Sequence, residues 1–440
     1  MDFHAHHSFP TKVYLSGSDY FHLLLQKKPE NHVGEQNIIR LKVDFEHKNC
    51  LDQFKQHIQS SPIIHWMCNI TLHHSTFLSA PYWFYQNKNK SIQIKEHPFE
   101  ENQQIPKSIL QQGIRINIDP LIQIDIFHTP TNQSTLVISW HHLLMDGRGA
   151  GLLIRHVNST NKDSHTFFQD FFPKPQTSIS FWAQLKNIFF IRYFMEEAVR
   201  GTLLSMPIHA SNTKPQFILK SIHLNREETS QLDKTAQAKG AKFGATLFLL
   251  ACCAQLFYAL PSIKNQSGTI WVPMPYDGRK RGSLGPMITN CISFLFYRID
   301  TKHIESLEET IKDLQRQMSE QIGSEIPKKY HAFLHSMKRI PVKFTQILMS
   351  KYTQKASPSF LFTAAGQENW DTQNLFKEGV SLIQIIPPFV FPQGLTFSFL
   401  RYNNQLTMNI VFEESRLSSD EINLLEQKIQ ALFSIHSKLA

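Results

Sequence analysis

The chain has 440 residues, of which 41% are hydrophobic and 12% aromatic, and it carries a formal net charge of +9. Its length supports more than one buried core and favours two domains of ordinary size, while the positive balance fits an anionic partner or surface. Several classes are set aside: five scattered cysteines make no disulfide framework, no apolar run is long enough to span a membrane, and the basic residues are dispersed with no nucleic-acid-binding signature, so no nucleic acid partner is expected.

Along the chain, the opening Met-Asp-Phe-His-Ala-His-His lacks the basic and apolar regions of a secretion signal, and a reducing cytoplasm is the expected setting. His4, His6 and His7 read as an incidental cluster in a histidine-rich chain, and no other region has the paired Cys/His spacing of a zinc site, so no metal is expected. An apolar strand then runs into His141 and His142, and a helical repeat follows over 148–157. The Pro-Lys-Pro segment Pro173 to Pro175 is a natural break.

Residues 179–194 form an aromatic and basic helical stretch, suited either to packing on the core as a crossover helix or to lying on a membrane surface. Beyond it, 221–225 reads as a strand, 230–239 as a helix and 244–258 as a strongly apolar buried helix. Strands around 269–272 and 292–299, a charged helix over 306–322 and an apolar stretch near Phe344 come next. Two alternating runs on either side of Asn403-Asn404 predict a hairpin, and a helix over 420–432 closes the chain. No internal repeat is evident, and the breaks divide the chain into 1–175, a connector over 176–215, and 216–440.

The most informative run is His141-His142-Leu143-Leu144-Met145-Asp146-Gly147. Adjacent residues at a strand end point to opposite faces, so the two histidines cannot share a role. A ring that titrates near neutrality, fixed at the end of a buried strand, suits a general base, and His142 is that candidate. Asp146 suits a tight turn in which its carboxylate accepts from backbone amides or pairs with an arginine, and Gly147 is expected to adopt a backbone angle that other residues resist. The small residues after Gly147 place a helix N-terminus, with its amides and partial positive charge, close by.

This run resembles the signature of the acyltransferase superfamily that includes chloramphenicol acetyltransferase, the condensation domains of nonribosomal peptide synthetases, plant alcohol acyltransferases and the wax ester synthase/diacylglycerol acyltransferases. Further stretches agree in the same order. Tyr14-Leu15-Ser16-Gly17-Ser18-Asp19-Tyr20-Phe21 is similar to the opening of wax ester synthase-like chains, and Val272-Pro273-Met274-Pro275-Tyr276-Asp277-Gly278-Arg279 resembles the family's strand ending in arginine. Thr289-Asn290-Cys291-Ile292-Ser293 resembles its Gly-Asn strand, with Thr289 standing in the glycine's place. The Asp-Phe-Gly-Trp-Gly motif of the plant branch does not occur, which argues against that branch.

The resemblance implies an α/β (α+β) architecture of two chloramphenicol acetyltransferase-like lobes with a central tunnel, His142 lying midway. It implies an acyltransferase, with acyl-CoA or an acyl carrier protein as thioester donor, no cofactor beyond that substrate, and an alcohol or amine acceptor. Ester formation is the preferred outcome. A stand-alone condensation enzyme forming an amide from a carrier-bound donor, and a catalytically silent lipid- or carrier-binding protein of the same fold, stay open as alternatives.

In this reading His142 is the base, Asp146 pairs with Arg279, and the Gly147 amide is the nearest donor to a developing oxyanion, with the hydroxyls of Thr396 or Ser398 as further donors. Asn290 either touches substrate or the tunnel wall or is a satisfied core residue, and His141 faces protein.

Overall fold

The computed structural model describes residues 9–25, 37–46, 50–76, 79–98, 105–128, 133–158, 171–174, 180–207, 216–264, 266–280, 282–283, 285–353, 357–365, 379–388 and 394–433. His4, His6 and His7 lie outside them. In the first half the elements are β1 (Lys12–Tyr14), α1 (Gly17–Leu24), β2 (Ile38–Phe45), α2 (Cys50–Ser60), α3 (Pro62–Cys68), β3 (Ile70–His73), β4 (Tyr82–Tyr85), β5 (Ile94–Pro98), α4 (Lys107–Leu110), β6 (Ile122–His128), β7 (Ser134–His141) and α5 (Gly147–Asn158). The second half runs α6 (Phe181–Ala198), β8 (Phe217–Leu224), α7 (Arg226–Ala238), α8 (Thr246–Tyr258), β9 (Thr269–Asp277), β10 (Ile292–Asp300), α9 (Leu307–Gly323), α10 (Ile326–Met337), α11 (Val342–Thr353), β11 (Leu361–Ala365), β12 (Val380–Ile386), β13 (Leu395–Tyr402), β14 (Gln405–Glu413) and α12 (Ser419–Phe433).

Two larger sheets organise the molecule. The first has the order β12-β2-β7-β6-β5, antiparallel throughout except for the parallel β5–β6 pair; the second has the order β11-β13-β14-β8, with β11 and β13 parallel. Strand β7 is buried along its whole length, as a strand with the apolar run Leu136-Val137-Ile138 in the middle of a covered sheet should be. Its neighbour β2 buries Lys42 only because Asp44 pairs with it at 2.8 Å, while the Thr135 hydroxyl donates to Asp44 at 2.6 Å.

Each half has its own apolar cluster. One is built on Trp140, Leu136, Ile138, Leu41 and Trp66; the other on the apolar helix α8 with Phe397, Phe399, Ile410 and Phe412. The mixed α/β, two-lobed architecture expected from the sequence is present. The division at 216 needs an amendment, because β12 lies in the C-terminal segment yet pairs with β2 at the edge of the first sheet, and Met287 and Ile288 join the first core.

The two sheets are stitched where β12 passes beside the second. Gln384 Nε2 donates to Asn409 Oδ1 at 2.5 Å and also to the Ser221 hydroxyl, and Asn409 Nδ2 donates to the Ile385 carbonyl at 2.7 Å. Such a buried polar set is tolerated when its members find partners.

The connector contains α6, whose inner face places Ile191, Phe194 and Met195 in a cluster with Trp271, Phe296, Tyr330 and Leu334. Packing on the core, one of the two roles read from the sequence, is thus realised on that face. Its outer face exposes Trp182 (77%), Phe189 (64%) and Tyr193 (66%). Among the described residues no helix is long and apolar enough to cross a membrane, and no group of three His, Cys, Asp or Glu residues is arranged to hold a metal ion.

Candidate active site

Strand β7 delivers the two histidines and ends there. The His142 amide donates to the Asn37 carbonyl at 2.7 Å, which extends the β2–β7 ladder by one step. The turn that follows is closed from within: the Leu143 amide donates to His141 Nδ1 at 3.1 Å, the Leu144 amide to the His141 carbonyl at 2.9 Å, and Trp140 Nε1 to the Met145 carbonyl at 3.0 Å. His141 is therefore occupied in holding the loop, and burial pulls its pKa down to about 3, with His142 adding to the effect.

His142 turns the other way and retains 8% exposure. Burial pulls its pKa below the usual value, against the opposing influence of its own carbonyl, Asp146, Asn290 and the Met145 carbonyl. A neutral imidazole is the form a proton acceptor needs.

Asp146 does three things at once. Oδ1 accepts from the Gly149 amide at 2.8 Å, capping α5; Oδ2 accepts from Arg279 Nη1 at 2.8 Å and from the Cys291 amide at 2.9 Å. The Asp146–Arg279 pair read from the sequence is present, with the Arg279 side chain only 1% exposed. Burial alone would lower the Arg279 pKa, but Asp146, Cys291 and Asp277 hold it above its ordinary value. Arg279 also donates from Nε to the Pro286 carbonyl (3.0 Å) and from Nη2 to the Thr289 carbonyl (3.3 Å), so it shapes the segment that leads to Asn290. A second pair, Arg148 to Asp277 at 2.5 Å, ties the start of α5 to the end of β9.

Asn290 reaches the base from the opposite side, as its Nδ2 donates to the His142 carbonyl at 2.8 Å and to Asp19 Oδ1 at 2.9 Å. Asp19, in the first turn of α1, completes a capping box with Ser16 and also accepts from the Asn290 amide (2.6 Å) and the Thr289 hydroxyl (2.7 Å). The threonine in the glycine's place has a partner of its own. Burial pushes the Asp19 carboxyl up, against these hydrogen bonds.

One sequence reading needs correction and relocation. Gly147 has no positive φ, and a Cβ there would meet only the Ile385 side chain at 3.7 Å, so backbone conformation does not require glycine at that position. The requirement falls on Gly149, where a Cβ would sit 2.3 Å from the Met287 carbonyl oxygen as α5 passes against that segment. Thr396 and Ser398 are buried on β13 opposite Val411 and Asn409, and among the described residues neither hydrogen-bonds to His142 or Asp146.

Sequence reasoning missed His22, whose ring stacks on His142 with centroids 3.8 Å apart and planes 28° apart. The signal was its place one turn after Asp19, on the same face of α1. It also missed Asn37, which holds the His142 amide through its carbonyl while its carboxamide nitrogen lies 3.4 Å from His22 Nδ1.

No protein-family model matches this chain, and no curated protein sequence does. Solved structures do match over almost the whole length. Trichothecene 15-O-acetyltransferase from Fusarium sporotrichioides superposes with a TM-score of 0.65 at 13% identity, covering 96% of this chain and 95% of that one. The chain has the fold of these transferases and condensation domains. The first condensation domain of the CDA synthetase gives 0.64 at 12% identity, covering 96% and 95%. The starter condensation domain of rhizomide synthetase, solved as a mutant with C8-CoA and Leu-SNAC, gives 0.59 at 12%, covering 97% and 96%. Two chloramphenicol acetyltransferase-like lobes are the architecture of this fold, and it puts the β7–α5 loop of the first lobe against the β9–β10 loop of the second.

Proposed function

We propose that the chain is an acyltransferase that moves an acyl group from a thioester, on CoA or an acyl carrier protein, to a hydroxyl acceptor. The observation that carries this reading is the setting of His142: a buried imidazole held toward its neutral form, with its own backbone fixed by Asn37 and Asn290 and its loop braced by the Asp146–Arg279 pair. An acyl thioester is already activated, so the protein has to align the reactants and move one proton.

His142 Nδ1 is buried, which leaves Nε2 as the nitrogen that meets substrate. The acceptor oxygen forms its bond to the thioester carbonyl carbon as its proton passes to Nε2. The oxyanion then collapses, the C–S bond breaks, and the thiolate leaves with the proton returned from His142. No acyl-enzyme forms. The Gly147 and Arg148 amides, which open α5 without intrahelical partners, are the donors proposed for the oxyanion.

An O-acetyltransferase and a condensation domain solved with a CoA ester among the structural neighbours support acyl transfer and a thioester donor. The test is thiol release from acyl-CoA or acyl-carrier donors with alcohol and amine acceptors, followed by product mass. An ester product supports the reading, and an amide product moves the protein to the condensation alternative. Binding of donor without turnover makes it the silent binding protein.

A surface reading rests on α6. Trp182, Lys186, Phe189 and Tyr193 recur at helical spacing on its outer face, and Lys329 lies 4.2 Å from the Phe190 ring centroid. Aromatic residues beside cations on a half-packed helix suit an anionic lipid surface. Sedimentation with anionic vesicles, lost when Trp182, Phe189 and Tyr193 become serine in a protein that still folds, is the expected result. Unchanged sedimentation removes this contact.

A further inference from the structure

His22 is a second imidazole within van der Waals contact of the proposed base, and the fold fixes its position from several sides. Helix α1 approaches α10 so closely that a Cβ on Gly17 would lie 2.4 Å from the His335 amide nitrogen. Ser18 donates its hydroxyl proton to the Ile292 carbonyl at 2.6 Å, and Tyr20 donates to the Ile340 carbonyl at 2.6 Å. Phe21 packs edge-on against Phe294 at 5.2 Å. At its far edge, His22 Nδ1 accepts from the Asn37 carboxamide, which assigns the ring proton to Nε2. The ring is buried, and its partner across the stack is His142 rather than another part of the core.

We propose that His22 is a positioning residue for His142: its ring face fixes the plane of the base and stabilises the imidazolium that forms when His142 takes the acceptor's proton. This rests on the acyl-transfer reading above. The physical basis is that a cation over the face of a neutral aromatic ring is attracted to it, most strongly where water is excluded.

The same contact means that only one ring of the pair carries charge at a time. Burial, then His142 and His141, keep His22 well below the usual histidine pKa, so the charge falls on His142. The other ionisable groups facing the pair are His141 and Asp146 on the β7–α5 loop, Asp19 on α1, and Arg279 behind Asp146.

The test compares His22→Gln, which can keep the Asn37 contact but loses the ring, with His22→Phe, which keeps a ring face. His142 is titrated by its imidazole C–H resonance in NMR, and kcat and KM are measured on acyl-CoA. The expected result for His22→Gln is a His142 pKa lower by about 0.4–1.5 units and a kcat reduced by the matching factor of about 2.5 to 30, with KM nearly unchanged; His22→Phe recovers more than half of each loss. An unchanged titration and kcat in folded His22→Gln, or no rescue by phenylalanine, overturns the proposal while leaving acyl transfer intact. The pKa shift with phenylalanine rescue, in a protein that turns over no donor, upholds the pairing and overturns the acyl-transfer reading.

Discussion

Replacing Asp146 by alanine should bring the protein close to unfolding, and the structure supplies the size of the effect. The carboxylate is the partner of a guanidinium that is 1% exposed, it caps α5 through Gly149, and it accepts from the Cys291 amide. Leaving a buried cation unpaired costs about 3–5 kcal/mol, a lost N-cap about 1, and an orphaned buried amide about 1–3. Because the three share one network they do not add fully, and a net loss of about 5 kcal/mol is expected, at the scale of a whole domain's stability.

Asp146→Asn keeps the cap but turns an amide NH2 toward two donors, Arg279 and the Cys291 amide, and should lose about 2–4 kcal/mol. The assay is a double-mutant cycle with Arg279→Met, read by urea unfolding and tryptophan fluorescence. With both charges gone, the double variant should recover roughly 2–3 kcal/mol over the sum of the singles. Effects that add to within about 0.5 kcal/mol, or an Asp146→Ala variant as stable as the parent, would refute the claim that this pair braces the site.

Further outcomes are expected. Gly149→Ala should lose about 1–3 kcal/mol by overpacking against the Met287 carbonyl, whereas Gly147→Ala should melt within a few degrees of the parent; the reverse order in thermal melts contradicts the placement of α5. His141 titrates near 6.5 when unfolded and at about 3 when folded, so the unfolded state binds the extra proton between those values. The contribution of this ring is complete well above pH 6.5 and is lost with acid by about 1.4 kcal/mol per unit down to about 3, which makes roughly 2.3 kcal/mol between pH 6.5 and 4.5. His141→Asn should flatten that slope by one proton in urea titrations across the range, and an unchanged slope contradicts the buried neutral ring. Ile191→Ala, on the inner face of α6, should cost about 2–5 kcal/mol, while Trp182→Ser on the outer face should cost less than about 0.5, as read by urea midpoints.

The elements whose rules are local were legible in the sequence. Asn403 and Asn404 have φ of 49° and 59°, as a two-residue hairpin turn demands, and the hairpin forms around them. Helix α9 begins after Ser306, whose hydroxyl accepts from the Glu309 amide, close to where its charge pattern predicts.

Local rules misled where the partner decides. Strand β9 runs on through Pro273 and Pro275, past the expected end at 272, because both prolines share the parity of Trp271, whose amide points away from β10 to the Ser359 hydroxyl, so the β9–β10 ladder loses no donor there. The apolar stretch near Phe344 is a helix with Phe344 and Ile347 turned outward. Strand β12 was invisible as a member of the first sheet, since alternation gives a strand but not the strand it joins.

In the site, the His-His-x-x-x-Asp-Gly spacing was legible as a motif, and the Asp146–Arg279 pair was legible through the family resemblance that singled out Arg279. His22, Asn37 and Asp19 were not, because their roles arise from contacts across 120, 105 and 271 positions.

The most direct measurement is thiol release by the purified protein from acyl-CoA and acyl-carrier donors, with alcohol and amine acceptors, beside a folded His142→Ala variant. Release with an ester product is expected in the parent, with loss of roughly a hundredfold or more in the variant. Release at the parental rate by folded His142→Ala, or none from any donor by the parent, would contradict it.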